Sequence, residues 1–253
     1  MALNFKRIGQ GKPVVLLHGL FGSLDNLGII SRALRHQFDV ISIDLPDHGM
    51  SPHTEQFNYD DYAQQVMETI SLNDIESPAI LGHSMGGKVA MHIALHYPEN
   101  LSKLIVADIA PVRYEPRHSN VFKALQSVNL SDISGRKDAE QMMAQHIEEQ
   151  GVVQFLLRSL AKKEDGNFTW RFNLDLLLRD YENLSQELTH SQPFNKPTLF
   201  IKGGNSNYIT QEHRPVINQL FPNATAKIMQ GVGHWLHAEK PAVFAKLVAD
   251  FLQ

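Results

Sequence analysis

Pro78-Ala-Ile-Leu-Gly82-His83-Ser84-Met85-Gly86-Gly87-Lys88-Val89-Ala90 is the stretch that decides the fold. A short apolar run ends in glycine, a serine follows within two residues, and an amphipathic helical pattern begins at once. Gly82-x-Ser84-x-Gly86 puts glycines on both sides of the serine, where a Cβ would clash with neighbouring elements in a tight turn. The serine is then left exposed above the strand end, at the N-terminus of the next helix. A bare string of this kind is common by chance. One flanked by a strand before and a helix after is far more specific than an idle structural turn.

Working outward, short β-branched runs alternate with amphipathic stretches, the pattern of a parallel sheet covered by helices. Strands are predicted at Val14–Leu17, Val40–Asp44, Pro78–Leu81, Leu104–Asp108, Thr198–Lys202 and Ala226–Met229, with an edge strand at Leu3–Ile8. These runs read as strands buried on both faces. Helices are predicted at Tyr59–Leu72, Met85–Tyr97, Gln211–Leu220 and Pro241–Leu252. The interval 109–197 breaks the rhythm. Val152, Leu156 and Leu160, then Leu174, Leu177, Tyr181 and Leu184, suggest helices there, so it is expected to be a helical cap inserted before the penultimate strand. The core is then 1–108 with 198–253. Within the cap, Met142, Met143, Phe155 and Leu157 are expected to pack onto the core, some of them lining an apolar acyl pocket.

Composition narrows the chemistry. The 253 residues hold 23 basic and 27 acidic side chains, a net charge of −4, with no basic run. The electrostatic footprint of a nucleic-acid or anionic-membrane partner is missing. There is no Cys, which removes disulfides, Cys-ligated zinc and a Cys nucleophile. No His-Glu-x-x-His spacing suggests catalytic metal. The first residues carry no apolar signal-like region, and no run approaches the ~20 apolar residues of a membrane span. A cytoplasmic protein is the expectation.

A serine needs a base to attack a carbonyl at neutral pH. Among 13 histidines, His234 in Gln230-Gly-Val-Gly233-His234-Trp235 follows the last strand, on the same sheet edge as Ser84. His237 is a rival too near the final helix, and His83 should point away from the site. His36, His53, His92 and His96 read as surface or core residues. His18-Gly19-Leu20-Phe21-Gly22 follows the first central strand, where a glycine-rich loop can aim the Leu20 amide at an oxyanion alongside the amide of Met85. Asp44-Leu-Pro-Asp47-His-Gly49-Met-Ser51 reads as a turn that shapes the loop, without a catalytic role.

The order His18-Gly19, Gly82-x-Ser84-x-Gly86, Gly233-His234 resembles the α/β-hydrolase superfamily over nearly the whole chain. Residues 18–28, Asp108-Ile-Ala-Pro-Val112, Gly203-Gly-Asn-Ser206 and 233–241 further resemble YbfF-type bacterial esterases and their mitochondrial relatives. The resemblance implies a cofactor-independent serine hydrolase with a helical cap, acting on small-molecule acyl esters or thioesters, acyl-CoA among them. Asp47 stands where the superfamily usually has the first glycine of D-x-x-G-x-G-x-S.

Superfamily members commonly carry the third triad residue in the loop after the strand Thr198–Lys202. Here that loop reads Gly203-Gly-Asn-Ser206-Asn207 and has no carboxylate. Ser206 can accept a hydrogen bond from the histidine ring but offers no charge. Asp108, at the end of the strand beside the nucleophile strand, is the predicted acid, with a turn-capping role as its plainer reading; Glu239 and Asp25 are weaker candidates. The expected roles are therefore nucleophile for Ser84, base for His234 and orienting acid for Asp108. A non-catalytic sensing homologue, a perhydrolase and a C–C hydrolase or lyase-like relative remain alternatives.

Overall fold

The computed structural model describes residues 2–253. Its main sheet has seven strands: β1 (Phe5–Gly9), β2 (Lys12–Leu17), β3 (Phe38–Ile43), β4 (Ala79–His83), β5 (Lys103–Ala107), β8 (Thr198–Gly203) and β9 (Ala224–Met229). They lie in the order β1-β3-β2-β4-β5-β8-β9. Only β1 runs antiparallel, against β3; every other pairing is parallel. A small antiparallel hairpin of β6 (Leu160–Lys162) and β7 (Phe168–Trp170) stands apart from this sheet. Each strand expected from the sequence is present, with ends shifted by a few residues.

Alternation along the strands divides the core into two layers. Val15, Leu17, Ile41 and Ile43 face one way, toward α2 (Tyr59–Leu72) and α3 (Met85–His96). Val14, Leu16, Phe38 and Val40 face the other, toward α1 (Gly28–Leu34) and α11 (Pro241–Leu252). Helix α1 has no clear apolar period in the sequence; it starts at a glycine straight after a short 3-10 turn. Pro241 opens α11 at its first turn, where the missing N–H breaks no bond. Strands β3 and β4 are buried along their full length. Strand β9 is mostly exposed, contrary to the expectation of burial on both faces, because it forms the sheet edge.

Between β5 and β8 lie α4 (Ser119–Ser127), α5 (Arg136–Met143), α6 (Gln150–Leu157), α7 (Leu174–Arg179) and α8 (Tyr181–Ser185), together with β6 and β7. The all-helical expectation is corrected here. The stripe through Leu160 breaks because α6 ends at Leu157 and Leu160 opens a strand. The turn that follows holds Asp165-Gly166, with Gly166 at φ 89° and its N–H bonded to the Lys163 carbonyl. An Asp-Gly pair between two short runs is a hairpin signal. The second stripe is two helices, broken at Asp180. The remaining short helices are α9 (Arg214–Leu220), preceded by a 3-10 turn over Gln211–His213, and α10 (Leu236–Glu239). Among the described residues, no helix is long and apolar enough to cross a membrane.

Candidate active site

Ser84 sits between β4 and α3 at φ 54°, ψ −121°, a backbone region disfavoured for any residue with a Cβ. The turn is held by its surroundings. The Ser84 N–H donates to the Ala107 carbonyl at 3.0 Å, and the Gly87 N–H donates back to the Ser84 carbonyl at 2.8 Å. The flanking glycines are a steric necessity. A Cβ on Gly82 would lie 2.0 Å from the Gly86 carbonyl oxygen, and one on Gly86 would lie 2.4 Å from that of His18.

The parallel register carries two further side chains to the same edge. Asp108 leaves the end of β5, also at positive φ (52°), and is completely buried. His234 lies in the loop between β9 and α10. Its Nε2 is 3.0 Å from Ser84 Oγ, and its Nδ1 is 2.8 Å from Asp108 Oδ2. A carboxylate only accepts, so Nδ1 carries the proton and Nε2 presents a lone pair to the serine.

Ser206 is displaced from its expected partner. Its hydroxyl donates to Asp108 Oδ2 rather than accepting from the His234 ring. It also accepts from the Tyr208 N–H at 3.2 Å, while Asp108 Oδ1 takes the Gly203 N–H at 2.9 Å. The loop after β8 thus supplies donors to a carboxylate borne by the neighbouring strand. Lys202 Nζ pins that loop through the Ser206 carbonyl at 2.7 Å. The alternatives to Asp108 are occupied elsewhere: Glu239 receives the Gly233 N–H, and Asp25 pairs with Lys6.

The two candidate oxyanion amides, of Leu20 and Met85, belong to residues that line one cleft with Ser84. Among the described residues, neither donates to another protein group. The Leu20 loop is anchored from below. His18 Nδ1 donates to the Gly19 carbonyl at 2.8 Å, and its Nε2 accepts the Leu45 N–H at 3.0 Å. The buried carboxylate of Asp44 accepts from the N–H groups of Leu24 and Met50 and from the Asn4 amide. Asp47 adopts φ 63° in place of the usual glycine. Its carboxylate accepts from Tyr62, Thr54 and Asn173, so it links α2 to the segment before α7.

Several neighbours carry no signal readable from sequence. The Tyr208 ring stacks on His234 with centroids 3.9 Å apart and 19° between planes. His83 lies in the wall of the same cleft as Ser84, and its Nε2 donates to the His234 carbonyl at 2.9 Å. Burial holds the His83 imidazole well below its ordinary pKa, with His237 and His234 adding to the effect. His237 is pushed down to about 4 by burial and by His234. Its buried Nδ1 has no hydrogen-bond partner among the described residues. His118, beside the cleft, is pushed to about 4, chiefly by burial.

A family model described as the alpha/beta hydrolase fold matches residues 12–241. The chain belongs to the α/β-hydrolase family. This α/β hydrolase is 39% identical to esterase YbfF of Escherichia coli K12, over 96% of its own length and 94% of that protein's. It is 35% identical to the sn-1-specific diacylglycerol lipase ABHD11 of Mus musculus, over 94% of its own length and 80% of that chain. The solved structure of a marine microorganism esterase, 38% identical, superposes with a TM-score of 0.97 and 99% coverage of both chains.

Two clefts meet at Ser84 of this α/β hydrolase. One is walled largely by apolar side chains, among them Phe21, Val121, Val152, Phe155, Leu156 and Trp235. Of the four cap residues expected to pack or line a pocket, Phe155 is the one that reaches it; Met143 and Leu157 are buried in the core. The other cleft carries the charged side chains Lys88, Glu115 and Arg117 in its wall, beside Tyr114 and Tyr208. Lys88 lies one turn behind the serine and is almost wholly buried, with its pKa pushed down to about 7 by burial. It donates to the Ser185 and Gln186 carbonyls and lies over the Tyr114 ring at 5.1 Å.

Proposed function

We propose that this protein hydrolyses carboxylic esters, and acyl thioesters of the acyl-CoA kind, through an acyl-enzyme on Ser84. The observation that carries the reading is the unbroken line Ser84 Oγ, His234 Nε2, His234 Nδ1, Asp108 Oδ2, with contacts of 3.0 and 2.8 Å. In this reading His234 takes the serine proton as Oγ attacks the acyl carbon. The Leu20 and Met85 amides receive the oxyanion, being fixed donors that need no reorganisation. His234 then returns the proton to the departing alcohol or thiol. A water, deprotonated by the same nitrogen, releases the acid and restores Ser84. Asp108 keeps the imidazole in the productive tautomer, and Ser206 and the Gly203 amide hold the carboxylate still.

The charged side chains in one wall support an orientation for the substrate. The acyl chain takes the apolar cleft, and the leaving group takes the side of Lys88 and Arg117. Residues 109–197 act as the cap, contributing Val121, Val152 and Phe155 and limiting water access. The names of the relatives support ester chemistry. The test is a panel of p-nitrophenyl esters and acyl-CoA thioesters graded by chain length, run beside fluorophosphonate labelling. Labelling lost in Ser84→Ala, together with turnover on the panel, is the expected result. No labelling and no turnover would instead identify a binding or sensing homologue.

A further inference from the structure

Away from Ser84, helices α2 and α3 bring three side chains with metal-binding atoms to one point. His92 and His96 stand one turn apart on α3, an i, i+4 pair on the same helix face. Their rings stack with centroids 4.0 Å apart and 16° between planes. Asp60, in the first turn of α2, places its Oδ1 2.6 Å from His92 Nε2 and 3.9 Å from His96 Nε2. All three ligand atoms fall within 4.8 Å of one another.

Proton bookkeeping makes this point electron-rich. His96 Nδ1 lies 3.0 Å from the His92 backbone carbonyl, which can only accept. That nitrogen therefore carries a proton, and in the neutral ring Nε2 turns a lone pair toward Asp60. A lone pair and a carboxylate oxygen thus converge with one proton, that of His92 Nε2, among three donor atoms. A plain His92–Asp60 hydrogen bond between helices needs neither the third donor nor its fixed tautomer. A backbone bond to the far ring nitrogen is also how metal-ligating histidines are oriented.

We propose that Asp60, His92 and His96 form a binding site for a divalent transition-metal ion of the zinc class. Two imidazoles and a carboxylate, with no thiolate, suit Zn²⁺, Co²⁺, Ni²⁺ or Cu²⁺ and not an all-oxygen ion such as Mg²⁺. As the ion binds, the His92 proton moves from Nε2 to Nδ1 and Nε2 becomes a ligand. Asp60 is largely exposed, so the remaining coordination positions face solvent and take water. The bound ion ties α2 to α3, the helix that begins next to Ser84. The site is independent of the proposed hydrolysis.

The experiment uses the full chain, stripped with a chelator and titrated with ZnCl₂ by calorimetry and with CoCl₂ by visible absorption. The wild type should take up one equivalent, show Co²⁺ d–d bands and gain Tm as Zn²⁺ rises. His96→Ala and the milder His96→Gln and Asp60→Asn should weaken binding about tenfold or more and lose the Tm gain, on the scale set by disturbing a metal site. Their metal-free hydrolytic activity should match the wild type. No saturable one-equivalent binding in the wild type overturns the proposal. So does an undiminished equivalent in His96→Ala; if it abolishes hydrolysis, the ion sits at His234 instead.

Discussion

The Ser206 hydroxyl donates to Oδ2 of Asp108, the same carboxylate oxygen that His234 Nδ1 faces at 2.8 Å. A neutral donor thus occupies the place beside the acid where a second carboxylate would repel it, and it aims the anion at the imidazole. The two residues should therefore differ sharply in their cost on removal. Asp108→Asn puts a donor where an acceptor is needed and locks the ring in the wrong tautomer. By analogy with serine proteases, kcat should fall about 10⁴-fold. Ser206→Ala removes a hydrogen bond to a charged group, ~1.5–3 kcal/mol, so a loss of about ten- to a hundredfold is expected. Steady-state kinetics of both variants check the order; near-normal turnover in Asp108→Asn would falsify its assignment as the acid.

Ser84→Ala should abolish turnover and fluorophosphonate labelling while leaving the fold intact. Alanine tolerates the turn as poorly as serine does, and the lost hydroxyl takes little packing with it. Stability should change by under about 1 kcal/mol, as read from urea unfolding. A folded variant that still turns over would remove Ser84 as nucleophile.

The buried histidines set an acid limit on stability. His118 and His237 are both pushed from 6.5 to about 4, chiefly by burial. Between those values the unfolded chain binds more protons than the folded one. Stability is therefore full above pH 6.5 and falls as pH drops toward 4, by up to ~1.4 kcal/mol per pH unit for each group. His237→Phe removes one such proton from the balance. Its plot of unfolding free energy against pH should decline less steeply across that window, and an unchanged slope would mean that His237 is not held neutral.

Phe155 packs its ring 4.4 Å from that of Trp235, in the wall of the apolar cleft. Phe155→Ala should raise KM for short acyl esters about tenfold, a loss of ~1.4 kcal/mol of apolar contact. Longer chains can fill the vacated space and should lose less. A p-nitrophenyl ester series reads this directly, and an equal loss at every length would place the acyl group elsewhere.

The residues of the site that sequence reveals are those that local context constrains. Gly82 and Gly86 mark the turn because each is pressed against a backbone carbonyl, and the strand ends carry Asp108 and His234 to the same edge. What the sequence hides depends on segments that meet only in three dimensions. Ser206 reads as a partner for the histidine because it stands in the loop where the superfamily commonly carries its acid, yet its hydroxyl turns to Asp108 at the end of the neighbouring β5. Asp47 reads as a departure from a glycine pattern. Only the approach of Tyr62 and Asn173 shows what its carboxylate does. His92 and His96 look like scattered histidines until α2 brings Asp60 beside them. The β6–β7 hairpin is hidden for a different reason, since its strands have three residues each, too few for a period of two to register.

The spacing of Ser84, Asp108 and His234 along the chain has a consequence for biosynthesis. Ser84 and His234 are separated by 150 residues, and Asp108 and His234 by 126. At a translation rate of ~5–20 residues per second, a growing chain carries its serine for roughly 8–30 s before the histidine is made. The histidine must then wait for the β9 edge to dock. On the proposed roles, a nascent chain holds a serine without a base and has no hydrolytic power. On those roles, activity arrives in one step once the histidine docks, after residues 109–197 have already been laid down between β5 and β8.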